Sequence, residues 1–165
     1  MANNNWIPQS YIDAQSVANQ LLAQTKQEKK LPIISLDQFR SAVEEKVAML
    51  KEDPMMMERA LQYLHAISTI FLDERSKLVV LDPMDWLTNV LFLFVGESNR
   101  HVPIPNKQGV VQFSDILQHK DIINCSNEEE VAQVMKILES LEFCFPIRPQ
   151  SQALVQESQQ ELKIQ

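Results

Sequence analysis

Apolar residues recur every three or four positions over the first part of the chain, which is the spacing of an amphipathic helix. The spacing predicts a first helix over residues 9–26, followed by a polar stretch that faces solvent. Residues 31–34 are predicted to be extended, because Pro32 blocks the start of a helix there. The opening pattern is therefore a helix followed by a short extended segment.

Two capping signals define the next helices. Ser35 and Gln38 form a capping-box pattern, in which each side chain bonds the backbone N–H of the other residue. The helix that they begin is predicted to continue to Asp53 with one apolar face. Pro54 suits the first position of a helix, so a third helix is predicted over residues 54–66.

The pattern then changes to β-type runs. Residues 69–72 and 77–81 are short apolar runs separated by a polar turn, so they predict an antiparallel hairpin. Asp82 has the position of a helix N-cap, and Pro83 has the position of the first helical residue. Trp86 is expected to anchor this fourth helix on the hairpin.

The second half of the chain predicts shorter elements. They are a loop, a strand, a short helix, a longer helix and a closing strand or extended edge, at residues 97–108, 109–112, 113–118, 127–141 and 143–147. Ser114 is expected to cap the short helix, and Ser126 with Glu129 to cap the longer one. The whole order predicts an α+β, mainly helical fold, winged-helix-like, with a small β-hairpin and short strands.

Composition sets the domain organisation. A hydrophobic fraction of 45% in 165 residues is enough for one core. Residues 6–148 are predicted to form this domain, after a disordered N-terminus at residues 1–5. Residues 149–165 are polar and glutamine-rich, and they are predicted to be a linker or tail.

Charge and apolar run length limit the partners. The net charge of −7 argues against nucleic acid and against anionic membranes, since both are bound through clustered lysine and arginine. The N-terminus lacks the pattern of a signal peptide, and the longest apolar run, residues 90–95, is too short to span a bilayer. These features predict a cytoplasmic protein.

Few residues suggest chemistry. Only two glycines are present, which excludes a phosphate-binding loop or a dinucleotide fingerprint. The histidines are scattered, and His65 is expected to be a half-buried core residue at a helix end. His119 and Cys125, with nearby carboxylates, are the one pattern that leaves a small metal-site or enzyme domain open as an alternative. The preferred prediction has no catalytic residue, cofactor or metal.

Asp82, Asp85 and Trp86 form the sharpest constellation. Two carboxylates three residues apart on one helix could act as an acid and a base. Capping explains both without chemistry, because Asp82 precedes Pro83 and Asp85 lies in the positive first turn. Phe143 and Phe145 flank Cys144, and alternation predicts that both rings face away from the thiol.

Together these motifs resemble the COR domain of Roco proteins. A helix ending in leucine and histidine, a hairpin and an LDP-Trp-Leu helix start recur in that order over residues 60–65 and 79–87. Further segments that resemble the family lie at residues 6–11, 31–39, 109–111 and 137–147. The chain departs from the family pattern at residues 66–68, where the family has a glycine, and by one extra residue between Pro83 and Trp86.

The resemblance implies a function for the chain. The N-terminal, winged-helix-like half of a COR region packs against a Ras-like GTPase domain called Roc and relays its nucleotide state. The C-terminal half carries much of the dimer contact, and this sequence resembles the N-terminal half only, so the implied partners are a Roc domain in cis and a homodimer through a missing half. The expected role is a signalling scaffold, and a winged-helix nucleic-acid binder is the other alternative. The structural and interface candidates are Leu64, His65, Leu81, Asp82, Pro83, Asp85, Trp86, Leu87, Phe143 and Phe145.

Overall fold

The computed structural model of the chain describes residues 6–95, 110, 112–118 and 125–147, with the backbone alone for 91–95. The helices are α1 (Gln9–Gln27), α2 (Leu36–Lys46), α3 (Ala48–Glu52), α4 (Pro54–Ala66), α5 (Pro83–Val95), α6 (Phe113–Gln118) and α7 (Glu128–Ser140). The strands are β1 (Ile33–Ser35), β2 (Ile70–Asp73) and β3 (Leu78–Leu81). The predicted fold class, α+β and mainly helical, is confirmed.

Local capping chemistry determines where α2 and α4 begin. The Ser35 hydroxyl accepts the Gln38 N–H at 3.2 Å, and the Gln38 side chain accepts the Ser35 N–H at 3.1 Å. This is the predicted capping box, with both bonds made. The Asp53 carboxylate accepts the N–H groups of Met55 and Met56, and Pro54 takes the first helical position.

The helix predicted from Ser35 to Asp53 is not continuous. It breaks at Val47, whose backbone leaves the helical region at φ −123° and ψ 84°. Val47 at the break and Leu50 after it are both buried. The break separates α2 from α3, which leads directly into α4.

Three antiparallel strands form one sheet in the order β1-β3-β2. The predicted hairpin is confirmed as β2 and β3, with Phe71 opposite Val80. The extended segment near Pro32 supplies the third strand, and Ile34 lies opposite Val79. The order helix, strand, helices, strand, strand, with β1 beside β3, is the winged-helix arrangement.

Both faces of this sheet are covered. Val79 and Leu81 of β3 pack into a core built mainly by α1 to α4. Leu78 and Val80 point the other way, into a second core built by α5, α6 and α7. All four residues of β3 are therefore buried, whereas antiparallel sheets commonly leave one face in water.

Two predicted caps are wrong. Ser114 lies inside the first turn of α6, which begins one residue earlier, at Phe113. The N-cap of α7 is Asn127, whose side chain accepts the Glu130 N–H at 2.9 Å. The Glu130 carboxylate accepts the N–H of Ser126, the residue before the cap, at 2.6 Å, so the N-cap lies one residue later than predicted.

The predicted closing strand is also wrong. Residues 144–147 follow α7 without joining the sheet, whose described strands are β1, β2 and β3. Val110 and Gln112 lie outside strands, and the rest of the strand predicted at 109–112 is not among the described residues. The predicted loop at 97–108 and the segments at 1–5 and 149–165 also lie outside the described residues.

Candidate functional site at the joint between β3 and α5

Asp82 joins β3 to α5 and caps the helix, as predicted. Its backbone carbonyl accepts the Trp86 N–H at 3.2 Å, and its carboxylate accepts the Asp85 N–H at 3.4 Å. Its φ of 70° lies in the left-handed region, which aspartate tolerates better than most residues. The chain therefore makes a sharp turn between strand and helix at this position.

Lys26 of α1 forms ion pairs with both carboxylates of the joint between β3 and α5, Asp82 and Asp85. Its ammonium lies 2.9 Å from an Asp82 oxygen and 3.9 Å from an Asp85 oxygen. The hydrogen bond to Asp82 is the main reason that the pKa of Lys26 is raised above its ordinary value. The pair lies at the surface, so it orients α1 against the joint more than it adds stability. Sequence reasoning did not link Lys26 to this site.

Trp86 anchors α5 on the sheet, as predicted. Its side chain is 7% exposed and packs in the second core with Leu78, Val80 and Val90. Leu87 packs against the same core and is half-buried. Within the described part of the chain, the buried indole N–H of Trp86 has no hydrogen-bond partner.

Leu64 and His65 tie the end of α4 to β2. Leu64 is fully buried in the first core, and the His65 ring packs 5.5 Å from the Phe71 ring. His65 Nδ1 accepts the Leu72 N–H at 3.2 Å. The prediction of a half-buried core histidine is wrong, because His65 is exposed and acts through its ring nitrogen at the surface.

Ser68 forms the left-handed turn that ends α4. The Thr69 N–H donates to the Leu64 carbonyl and the Ser68 N–H to the His65 carbonyl, both at 3.0 Å. These two bonds form a Schellman motif, whose turning residue is usually glycine. Ser68 adopts the required left-handed backbone with φ 58°. The helix α4 therefore ends in a left-handed turn made by a residue other than glycine.

Asp73 connects the hairpin to α7 across the two cores. This carboxylate is 4% exposed and accepts hydrogen bonds from the Ser76 hydroxyl, the Arg75 N–H at 3.1 Å and the Ser140 hydroxyl at 2.9 Å. Burial is the largest influence and raises the pKa of Asp73, but these bonds outweigh it and hold the pKa below its ordinary 3.8. Sequence reasoning missed this link, because Asp73 and Ser140 lie 67 residues apart.

An exposed apolar segment follows α7, and we call residues 143, 145 and 147 the aromatic end segment. Phe143 is 54% exposed and Phe145 is 80% exposed, while Ile147 is 39% exposed. Cys144 between the rings is half-buried and packs against the second core, so the predicted alternation is confirmed. Burial raises the pKa of the Cys144 thiol, which makes it a poor nucleophile at neutral pH.

The candidate residues thus fall into two groups. Leu64 and Leu81 belong to the first core and Trp86 and Leu87 to the second, so the joint straddles the sheet. Pro83 is half-buried at the start of α5, and Asp85 is exposed in its first turn. The aromatic end segment is separate from the joint in the chain.

Neither a metal cluster nor a membrane-spanning helix is found in the described ranges. These residues contain no group of three or more histidine, cysteine or acidic side chains that could hold a metal ion. None of the helices described has both the length and the apolar character needed to cross a bilayer. His119 lies outside the described residues, while Cys125 is buried in the second core.

Comparison with known proteins returned no relative. No family model matches the chain, and no curated protein or solved structure matches it either.

Proposed function

We propose that this chain is a non-catalytic interaction and regulatory module that packs against a Ras-like Roc GTPase domain and relays its nucleotide state. The proposal rests on the ordered resemblance to the COR region of Roco proteins. The observation that carries it is the joint itself, because residues 81–87, on which the resemblance most depends, connect the winged-helix unit to the second helical layer.

The coupling between the two layers supports a relay. β3 contributes side chains to both cores, and Asp73 bonds Ser140 from one layer to the other. Close-packed interiors transmit a displacement because they have little free volume. A partner that shifts α7 would therefore also shift the hairpin and the end of α4.

The aromatic end segment supports an interaction role. Exposed aromatic side chains are enriched among the residues that dominate protein–protein binding energy. Phe143 and Phe145 present two such exposed rings, two residues apart in the chain. We assign the contact with the GTPase domain to this segment, in a cytoplasmic setting that suits two cysteines that are not joined in a disulfide.

The test is a binding measurement with the whole chain. The purified protein is titrated against an immobilised Roc domain loaded with GDP or with a non-hydrolysable GTP analogue. We expect saturable binding that differs several-fold between the two nucleotide states, and no nucleotide binding by the chain alone. A folded sample that binds no Roc domain would contradict the proposal. Equal affinity for the GDP-loaded and GTP-analogue-loaded forms would contradict the proposed relay of nucleotide state.

A matched pair of variants tests the assigned surface. Phe145→Ser changes a side chain that is 80% exposed, so it should weaken Roc binding without loss of folding. Met49→Ser changes an exposed apolar residue on α3 and serves as the control. Equal effects of the two variants would show that the aromatic end segment is not the contact.

Nucleic-acid binding is the second candidate, because the arrangement is winged-helix-like. In that arrangement α4 is the helix that would enter the major groove. Its exposed or half-buried polar side chains include Arg59 and Gln62, but also Glu58, which pairs with Arg40 at 2.7 Å. One arginine beside one glutamate is a weak footprint for a phosphate backbone. Salt-dependent binding of duplex DNA at physiological ionic strength would favour this candidate over ours.

The metal-site alternative depends on Cys125. Burial, followed by the negative charge of Glu130, raises the pKa of this thiol to about 12. A metal ligand must be the thiolate, so the buried environment opposes binding. Elemental analysis of purified protein tests this alternative, and stoichiometric zinc would revive it.

A further inference from the structure

The outer edge of β1 has backbone groups that no other strand uses. The Leu36 N–H donates to the Lys77 carbonyl at 2.9 Å, and the Leu81 N–H donates to the Pro32 carbonyl at 2.8 Å. Backbone groups in an antiparallel ladder alternate between the two sides of a strand, so even-numbered residues here face β3. Ile33 therefore directs its N–H and carbonyl away from the sheet.

The neighbouring residues leave this edge open. Pro32 lacks a backbone N–H, but its backbone groups face β3. The missing donor therefore does not affect the outer edge of β1. The Ser35 N–H is already bonded to the Gln38 side chain. Among the described residues, neither backbone group of Ile33 has a partner, and β1 pairs only with β3. Such an edge is a template for another strand.

A groove with a volume of about 540 Å³ runs along this edge. Its lining includes Leu31 and Ile33, residues near the end of α1 and residues at the start of α7. Its size falls in the range of binding clefts, roughly 300 to 1,000 Å³. The edge is thus reached through a cleft and is not a flat surface.

The groove is acidic. Glu28, Glu129 and Glu130 line it, and Lys30 is the one basic residue among the lining side chains. Lys30 is already bonded to Glu28 at 2.6 Å. Glu129 is exposed in the first turn of α7. The charge left for a ligand is therefore negative.

We propose that this groove binds an extended, basic segment of a partner protein, which adds a strand to the outer edge of β1. The partner backbone would bond the N–H and carbonyl of Ile33, and its lysine or arginine side chains would face Glu129. A second copy of this chain fits poorly, because each copy has a net charge of −7. The inference is independent of the proposed Roc contact, since the peptide test below contains no GTPase domain.

The first test uses the wild-type chain and labelled peptides in a fluorescence anisotropy titration. The probe is a short peptide of alternating threonine and lysine with blocked ends. A version with an N-methyl group on every amide keeps the charge but has no N–H on either edge to donate to the Ile33 carbonyl. We expect the N-methyl peptide to bind about fivefold more weakly, because it loses one backbone hydrogen bond and each such bond contributes about 1 kcal/mol net.

A peptide of alternating threonine and glutamate is the charge control, and we expect it not to bind. Equal binding of the lysine peptide and its N-methyl version would show electrostatic attraction alone and would overturn the proposal. Absence of binding by the lysine peptide would overturn it as well, as would equal binding of the acidic peptide.

The second test is a matched pair of protein variants. Glu129→Lys reverses a charge in the groove and should weaken the lysine peptide about fivefold, the effect of a 1 kcal/mol ion pair. Glu128→Lys reverses a neighbouring exposed charge in the same helical turn, but Glu128 does not line the groove. Both variants lose a favourable interaction of a glutamate with the dipole of α7, so their stabilities should be similar. Equal weakening by both variants would rule out the groove.

Discussion

In the described part of the chain, three helices end on a left-handed residue that is not glycine. Lys29, Ser68 and Glu142 follow α1, α4 and α7 with φ values of 53°, 58° and 62°. Each end has the two backbone bonds of a Schellman motif, and the Lys30 and Phe143 N–H groups make the longer bond at 2.9 Å. The chain has only two glycines, so side chains with a Cβ occupy positions that glycine usually takes.

Replacing these residues with glycine should stabilise the protein. The left-handed conformation costs a residue with a Cβ about 1–2 kcal/mol, and glycine removes that cost. Glycine also adds freedom to the unfolded chain, which takes back about 0.4–1 kcal/mol. The net gain is about 0.5–1 kcal/mol at each site. The three sites lie on different helices, so the triple variant should gain about 2 kcal/mol.

The charge of each replaced residue should determine which of the three glycine variants gains the most stability. Glu142→Gly removes a negative charge from the negative end of α7, which adds to the gain. Lys29→Gly removes a positive charge from the corresponding end of α1, which reduces it. Ser68→Gly changes no charge and should fall between them.

Urea denaturation followed by circular dichroism measures these differences, with thermal unfolding as a second readout. A gain of 2 kcal/mol in a protein of this size raises Tm by about 4–8 °C. Ala23→Gly is the control, because Ala23 is exposed on α1 and lies before the last turn of that helix. That variant should lose about 0.5–1 kcal/mol. A triple variant less stable than the wild type, or a gain for Ala23→Gly, would refute the reasoning.

Two further predictions concern the links between the layers. Asp73→Asn should lose about 1–2 kcal/mol at pH 7, because three donors lose a charged acceptor. The folded pKa of Asp73 is lowered, so its contribution is present above its ordinary 3.8 and is lost as pH falls through the folded value. The difference between the two proteins should therefore shrink below about pH 4 in urea titrations, and a constant difference would contradict it. Trp86→Ala should lose about 3–5 kcal/mol through the cavity it leaves, whereas Trp86→Phe should lose much less, since the indole N–H is unpaired. Equal losses for the two Trp86 variants in the same denaturation assay would show that ring volume is not the cause.

The candidate site was predictable in part. Asp82, Pro83 and Trp86 could be assigned as cap, first helical residue and anchor from their order alone, because these roles depend on neighbours within one helical turn. Lys26 could not be added to them, since it reaches Asp82 from another helix 56 residues away. The left-handed turn at Ser68 was also hidden, because serine is not a residue that marks such a turn.

Choices between equally good local signals were settled by packing. Ser126 and Asn127 are both strong N-cap residues, so no local rule separates a helix that begins at one from a helix that begins at the other. Burying Val131, Val134 and Leu138 together in the second core selects Asn127. Neither glycine nor proline lies next to Val47, so no local signal predicts the break there. The break is seen only in the folded protein, where α2 ends at Val47 and α3 begins.

Helix starts, the hairpin and the amphipathic faces depend on interactions within a few residues of chain, so the amino-acid order by itself determines them. The partner of β1 depends on the tertiary structure. Ile33 and Val80 are paired although almost fifty positions separate them in the chain. That pairing is selected because it lets the apolar faces of the helices and strands be buried together in the two cores. The same pairing leaves the outer edge of β1 beside an acidic groove, so the proposed peptide site exists only in the folded protein.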